Sequence, residues 1–262
     1  MGETAILTNV ADGICTITLN RPEKYNALTS EDLGALEAAA EGATFQPDVK
    51  AIVVTGAGKA FCAGLDIKVL DEIMRLSPPE RRAVLRRWNR AFTAFEVIEK
   101  PVVAALNGLT LGAGLEIALA CDVRIAARGA KLGLVETRLG SIPDGGGCTR
   151  LARFIGIGRA KELIMTGGMI SAEEAERIGL VNRLADAADL PRAATEFARE
   201  LLQGGPRGIG VAKRLITQTF NMDVHAGAEF EALAGSDLYD TEDVKEEVKA
   251  FREKRKPEFR GR

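Results

Sequence analysis

A single histidine, His225, stands among the 262 residues of this chain, so histidine-based proton transfer has at most one place to occur. His225 lies in helical, acidic sequence toward the C-terminal end. No Gly-x-Ser-x-Gly elbow accompanies it, which argues against Ser–His–Asp and Cys–His nucleophilic chemistry. The four cysteines, Cys15, Cys62, Cys121 and Cys148, include no Cys-x-x-Cys pair. That spacing disfavours a zinc site or a disulfide framework and favours reduced thiols. The apolar runs are too short to cross a bilayer. Residues 1–7 lack the basic start and apolar run of a secretory signal. With 35 basic and 37 acidic side chains the net charge is −2, and no basic, aromatic-rich face favours nucleic acid or an anionic membrane as partner. These features predict a soluble, cytoplasmic protein with no metal site.

Two glycine-bearing stretches invite comparison with phosphate loops and fail it. In the segment ending Gly58-Lys59-Ala60 the first glycine of a Walker loop would fall on Val53, and Ala60 replaces the required Ser or Thr. Gly112-Ala113-Gly114 lacks the third glycine of a dinucleotide fingerprint, since position 117 is Ile.

What is present is a large apolar fraction, 46%, beside 27% charged residues, enough for one large domain or a domain with an appendage. Residues 6–10 and 14–19 flank a hairpin signal at Asp12-Gly13. Thr29 opens a helix running to about Ala43. Continuous apolar runs at 51–55, 102–106 and 123–127 read as strands buried on both faces, separated by helices. Residues 80–99 form an amphipathic helix, with Val84, Leu85, Trp88, Phe92, Phe95 and Ile98 on one stripe and five arginines over much of the rest. That stripe suits core packing or the wall of an apolar pocket. From about Gly145 the pattern is mostly helical, interrupted by a short strand at 180–184. Residues 1–200 are taken as an α/β core and 201–262 as a helical C-terminal region.

The chemistry concentrates in two acids set beside glycine. Glu116 ends the run from Gly108 through Gly112 and Gly114, in the first turn of a helix expected over 113–120. Glu136 precedes the stretch Asp144-Gly145-Gly146-Gly147. Paired carboxylates near exposed amides suit acid/base chemistry on a carbonyl compound. The turn around Gly64 follows one buried strand and the turn around Gly112 follows the next, so the N–H groups of Leu65 and Ala113 are candidates to meet at one oxygen. Asp144 fits the N-cap of a helix expected to start at Gly145.

Taken together, Asn20–Leu28, Ala60–Ile67, Asn107–Asp122, Glu136–Gly147 and the basic end with Phe259 resemble the enoyl-CoA hydratase/isomerase, or crotonase, family over nearly the whole chain. The resemblance implies an α/β fold in which ββα turns wind into a crotonase-like spiral, followed by a C-terminal helical trimerisation region. It implies homotrimers or homohexamers and an acyl-CoA thioester as substrate, with coenzyme A as part of that substrate and no separate cofactor. It implies that the amides of Leu65 and Ala113 form an oxyanion hole, and that Lys24, Ala27, Ala63, Asp66 and Ile67 lie along the coenzyme A. It further implies that Glu116 and Glu136 are the acid/base pair of a hydratase. Many members carry glycine where this chain has Ala113, a change the turn accepts only if φ there is negative. Asp144 stands where typical hydratase members carry glycine and some isomerase members a working aspartate. The resemblance therefore supports water addition to a trans-2-enoyl-CoA, with enoyl-CoA or dienoyl-CoA isomerisation through Asp144 as the alternative. RNA binding, known for some members, is the remote one.

Overall fold

Asp12 and Gly13 take φ values of 51° and 77°, the left-handed pair that a two-residue hairpin turn requires. They join β1 (Ile6–Ala11) to β2 (Ile14–Leu19) in antiparallel register, with Ala11 opposite Ile14. The structure is a computed structural model describing residues 4–262. After β2, the expected helix α1 (Ser30–Phe45) opens with a capping box. The Asp32 N–H donates to Thr29 Oγ1 (3.2 Å) and the Thr29 N–H donates to Asp32 Oδ2 (2.8 Å), satisfying two otherwise orphaned donors.

The chain then runs β3 (Ala51–Gly56), β4 (Ala60–Cys62), α2 (Ile67–Met74), α3 (Pro78–Val97), β5 (Val102–Leu106), β6 (Leu109–Leu111), α4 (Ala113–Ala120), β7 (Val123–Ala127) and β8 (Lys131–Gly133). It continues through α5 (Gly147–Ile155), α6 (Ile157–Thr166), β9 (Met169–Ser171), α7 (Ala172–Arg177), β10 (Arg183–Ala185) and α8 (Leu190–Leu201). It closes on α9 (Pro206–Thr219), α10 (Val224–Leu238) and α11 (Glu242–Glu253).

Two sheets result. The larger has the order β1-β2-β3-β5-β7-β10, the smaller β4-β6-β8-β9. In the larger sheet every pairing after the first hairpin is parallel. β5 is apolar throughout, and β3 over its first four residues, because both faces are covered. On β3, Ile52 and Val54 enter the main core, while Ala51 and Val53 pack in a second cluster with Leu190, Ala194 and Ala198 of α8.

Several boundaries differ from the sequence reading for identifiable reasons. Ser77 is the N-cap of α3, with Pro78 and Pro79 in the first turn, where a missing N–H is harmless, so this helix starts before Glu80. The strand expected from Leu180 begins at Arg183. The N–H groups of Leu180 and Val181 both return to the Ala175 carbonyl (2.8 and 3.1 Å) and finish the turn after α7. Lys213 pins α9 to the core: its ammonium donates to the carbonyls of Phe95 (2.7 Å) and Lys100 (3.0 Å) and pairs with Asp122 at 2.9 Å.

Candidate active site

Three parallel strands of the small sheet carry the candidate groups. The pairings Cys62–Thr110, Thr110–Leu132 and Leu111–Gly133 set β4, β6 and β8 side by side. Past β4 comes the Gly64–Leu65 turn, past β6 the Gly112–Ala113 turn, and past β8 Glu136, which opens a 3-10 turn over Glu136–Leu139. Parallel pairing places these three chain ends on one edge of the sheet. A Cβ built on Gly112 would stand 2.9 Å from Glu136 Oε1 and 3.8 Å from the Gly64 Cα, so the three turns touch. Gly112 has φ 51° and ψ −125°, a conformation that L side chains avoid.

The amides of Leu65 and Ala113 sit on the two adjoining turns. Leu65 bridges to Leu28, but that bridge uses the Gly64 carbonyl and the Asp66 N–H (both 2.9 Å), and the Leu65 N–H has no acceptor among the described residues. Ala113 is the first residue of α4, where an N–H has no intrahelical acceptor. The positive φ belongs to Gly112 and not to Ala113, so alanine fits there without strain.

Glu116 is 3% exposed in the first turn of α4. Its Oε1 accepts the Gly147 N–H at 2.9 Å. Burial pushes its pKa up to about 8; the Gly147 bond opposes that shift, and the charges of Glu136 and Asp144 add to it. Glu136 is also raised, by burial and then by Asp144, although a bond to its own backbone works the other way. Its Oε2 is buried without a hydrogen-bond partner among the described residues. A buried acceptor is costly to leave unpaired, and such a group marks a site where a ligand supplies the donor.

Asp144 does not cap a helix. The helix expected at Gly145 begins at Gly147, its N-cap is Gly146 with φ 100°, and no side chain caps it. Gly146 is left-handed, and the charge of Asp144 acts on both Glu116 and Glu136. Partial burial raises the pKa of Asp144, and that of the neighbouring Cys148 thiol rises through burial and then through the charges of Glu116, Glu136 and Asp144. Three carboxyls with upward shifts thus share one site. Such a cluster can share a proton and pass it between its members.

The enoyl-CoA hydratase/isomerase family pattern matches residues 9–262. The chain belongs to this family. It is 39% identical to a short-chain-enoyl-CoA hydratase of Clostridium acetobutylicum, over 95% of each chain. It is 37% identical to an (E)-benzylidenesuccinyl-CoA hydratase of Thauera aromatica, over 98% of this chain and 99% of that one. A crystal structure of enoyl-CoA hydratase from Bacillus anthracis superposes with a TM-score of 0.92 at 38% identity, covering 99% of this chain and 100% of that one. The architecture is therefore the α/β crotonase fold.

In this member of the enoyl-CoA hydratase/isomerase family, the segments holding Lys24, Ala27, Ala63, Asp66 and Ile67 lie against one another. Tyr25 and Asn26 have positive φ (51° and 56°), which folds the segment holding Lys24 and Ala27 back on the strand end holding Ala63. The Ala63 N–H donates to the Tyr25 carbonyl at 2.9 Å, and buried Asn26 donates to the carbonyls of Ala57 and Ala60. Asp66 caps α2 through the Lys68 N–H (3.2 Å) and pairs with Arg21 at 3.3 Å. Its pKa is held low first by that Lys68 bond. Ile67 stands 68% exposed beside it.

Three features of the site escaped the sequence reading. One is the Gly147 amide on Glu116. Another is the closeness of Gly145, where a Cβ would collide with Glu116 Oε2 and the Phe92 ring. The third is the pair Asn89 and Arg150, which hold the carbonyls of Asp144 and Gly145. The run of glycines at 145–147 is the only signal of this crowding that the sequence carries.

Proposed function

We propose that this protein adds water syn across the C2=C3 double bond of a trans-2-enoyl-CoA, giving the 3-hydroxyacyl-CoA. The observation that carries the reading is the pairing of buried Glu116 with half-buried Glu136 at the end of the β4-β6-β8 ladder, where the free amides of Leu65 and Ala113 also emerge. The thioester oxygen is placed between those amides, at the positive end of α4, which stabilises the enolate-like charge of the transition state. Water oxygen bonds to C3 and its proton passes to the ionised carboxyl. The protonated carboxyl gives its proton to C2, and the pair again holds one proton. In the free protein Glu116, with its pKa near 8, is the group that keeps the proton at neutral pH. The equation balances with water and thioester alone, so no further cofactor enters.

Lys24, Ala27, Ala63, Asp66 and Ile67 are assigned to the coenzyme A moiety. The Asp66 carboxylate is engaged by the Lys68 N–H and by Arg21. The two relatives described above support the reaction class, since both are named as hydratases of CoA thioesters.

A second reading rests on Asp144, which is not a cap and lies in the same cluster. Glu136 and Asp144 would take a proton from one end of a three-carbon unit and return it at the other, moving the double bond without water. One experiment separates the two. Crotonyl-CoA or a 3-enoyl-CoA is incubated with the enzyme in oxygen-18 water. Label at C3 of the hydroxyacyl product is expected. Double-bond migration with no incorporated oxygen would overturn the hydratase reading and support the isomerase.

A further inference from the structure

The loop that serves Glu116 has little of its own to hold it. Residues 145–147 are all glycine, and Gly146 takes φ 100°. Such a segment has wide conformational freedom, and fixing it requires outside contacts. Two side chains supply them. Asn89 Nδ2 of α3 donates to the Asp144 carbonyl at 2.9 Å. Arg150 Nη1 of α5 donates to the Gly145 carbonyl at 3.0 Å. Arg150 is 9% exposed, and its other nitrogens are taken: Nη2 and Nε donate to Glu96 Oε2 (2.7 and 3.1 Å) and Nη2 also to Thr93 Oγ1 (3.2 Å). The guanidinium is therefore fastened to α3 by Glu96 and Thr93, with one nitrogen left to grip the loop.

We propose that Arg150, anchored by Glu96, is a positioning residue that holds the glycine loop so that the Gly147 N–H stays on the Glu116 carboxyl. It touches no substrate and acts through the loop. Its kinetic consequence rests on the hydratase reading; its structural consequence does not. A hydrogen bond to the ionised form lowers a carboxyl pKa, so losing the Gly147 bond raises that of Glu116 further. The charged or titratable groups facing Glu116 are Glu136, Asp144 and the Cys148 thiol, with the Arg150 cation itself on the neighbouring Gly145 carbonyl; Arg150→Lys keeps that charge and so separates its loss from movement of the loop. A planar fork serves Glu96 and the loop at once; a lysine ammonium on a flexible stem serves one of them well.

The test uses the full chain carrying Arg150→Gln, Arg150→Lys or Glu96→Gln. Proteins labelled with carbon-13 at the glutamate carboxyls are titrated by NMR, with Glu116→Gln assigning the resonance. The Glu116 midpoint is expected to move up in Arg150→Gln, and by less in Arg150→Lys and Glu96→Gln. A misplaced carboxyl should lower kcat for hydration by roughly ten- to a hundredfold while KM stays within about twofold. A folded Arg150→Gln protein with the wild-type Glu116 midpoint and kcat overturns the proposal. Where Arg150→Gln fails to fold, Glu96→Gln decides by the same two measurements. If the wild type does not hydrate at all, the hydratase reading fails and the NMR midpoint alone decides the role of Arg150.

Discussion

Burying Glu116 makes stability depend on pH in a definite direction. Its folded pKa of about 8 lies above the ordinary carboxyl value of 4.5. The fold therefore favours the protonated form, and that contribution is present at low pH and is lost as pH rises through about 8. A glutamine at this position keeps the acceptor for Gly147 and cannot ionise. Glu116→Gln should melt close to the wild type at about pH 5 and several degrees above it at about pH 9, with kcat lowered on the order of a hundredfold or more. Calorimetry at the two pH values checks this, and equal melting temperatures at the higher pH would refute it. Both glutamates were legible in the sequence because each sits beside glycine, where backbone approaches a ligand. The state of Asp144 was not legible. Three successive glycines leave the start of the following helix undetermined, and only the φ of Gly146 shows that the cap falls there and not on Asp144.

At the scale of elements, the long buried strands of the large sheet and the helix α4 stood out as apolar runs with sharp ends. The strands that carry the site did not. β4, β6 and β8 are three residues each, too short for a periodic signal, and they form only because pairing with one another satisfies their backbone. Their geometry is exposed to substitution at Gly112. Alanine there meets both an unfavourable φ of 51° and the Glu136 carboxyl, 2.9 Å from the new Cβ. Backbone strain of this kind costs about 1–3 kcal/mol. Gly112→Ala should lower both the melting temperature and, by about tenfold or more, kcat. Gly129→Ala is the comparison: φ is 76° with nothing within 4 Å, so stability should fall while kcat holds. Equal kcat in the two variants would show that the contact with Glu136 does not matter.

Over the whole molecule, the apolar faces of the C-terminal helices remain uncovered. Ile216, Val224 and Leu233 are 71%, 84% and 69% exposed, and Phe220 and Tyr239 are exposed beside them. Surfaces of this kind mark association sites in soluble proteins. The expected assembly is a homotrimer or a pair of trimers, in which Lys213 couples the assembling helix α9 to the carbonyl of Phe95 on the helix that lines the site. Light scattering should return about three or six times the 28.0 kDa chain mass, and Leu233→Asp should shift it downward. A wild-type mass of one chain at micromolar concentration would rule the assembly out. The sequence showed helices in this region but not which of their residues lack a partner, since that depends on how they pack.

The ladder of β4, β6 and β8 has one consequence for how this chain can change length. Advancing any of these strands by one residue shifts its end by about 3.3 Å and reverses the side its side chains face. A one-residue insertion or deletion in β6 or β8 would displace one site group from the other two, whereas β4 already carries one irregularity, with Ala60 and Cys62 opposite the successive residues Leu109 and Thr110. The connection from α2 to α3 lies outside the ladder, so additions near Arg75–Ser77 leave its register intact. Length variation is thus confined to the periphery of the site, where it can reshape the space offered to a substrate while the reacting groups keep their spacing.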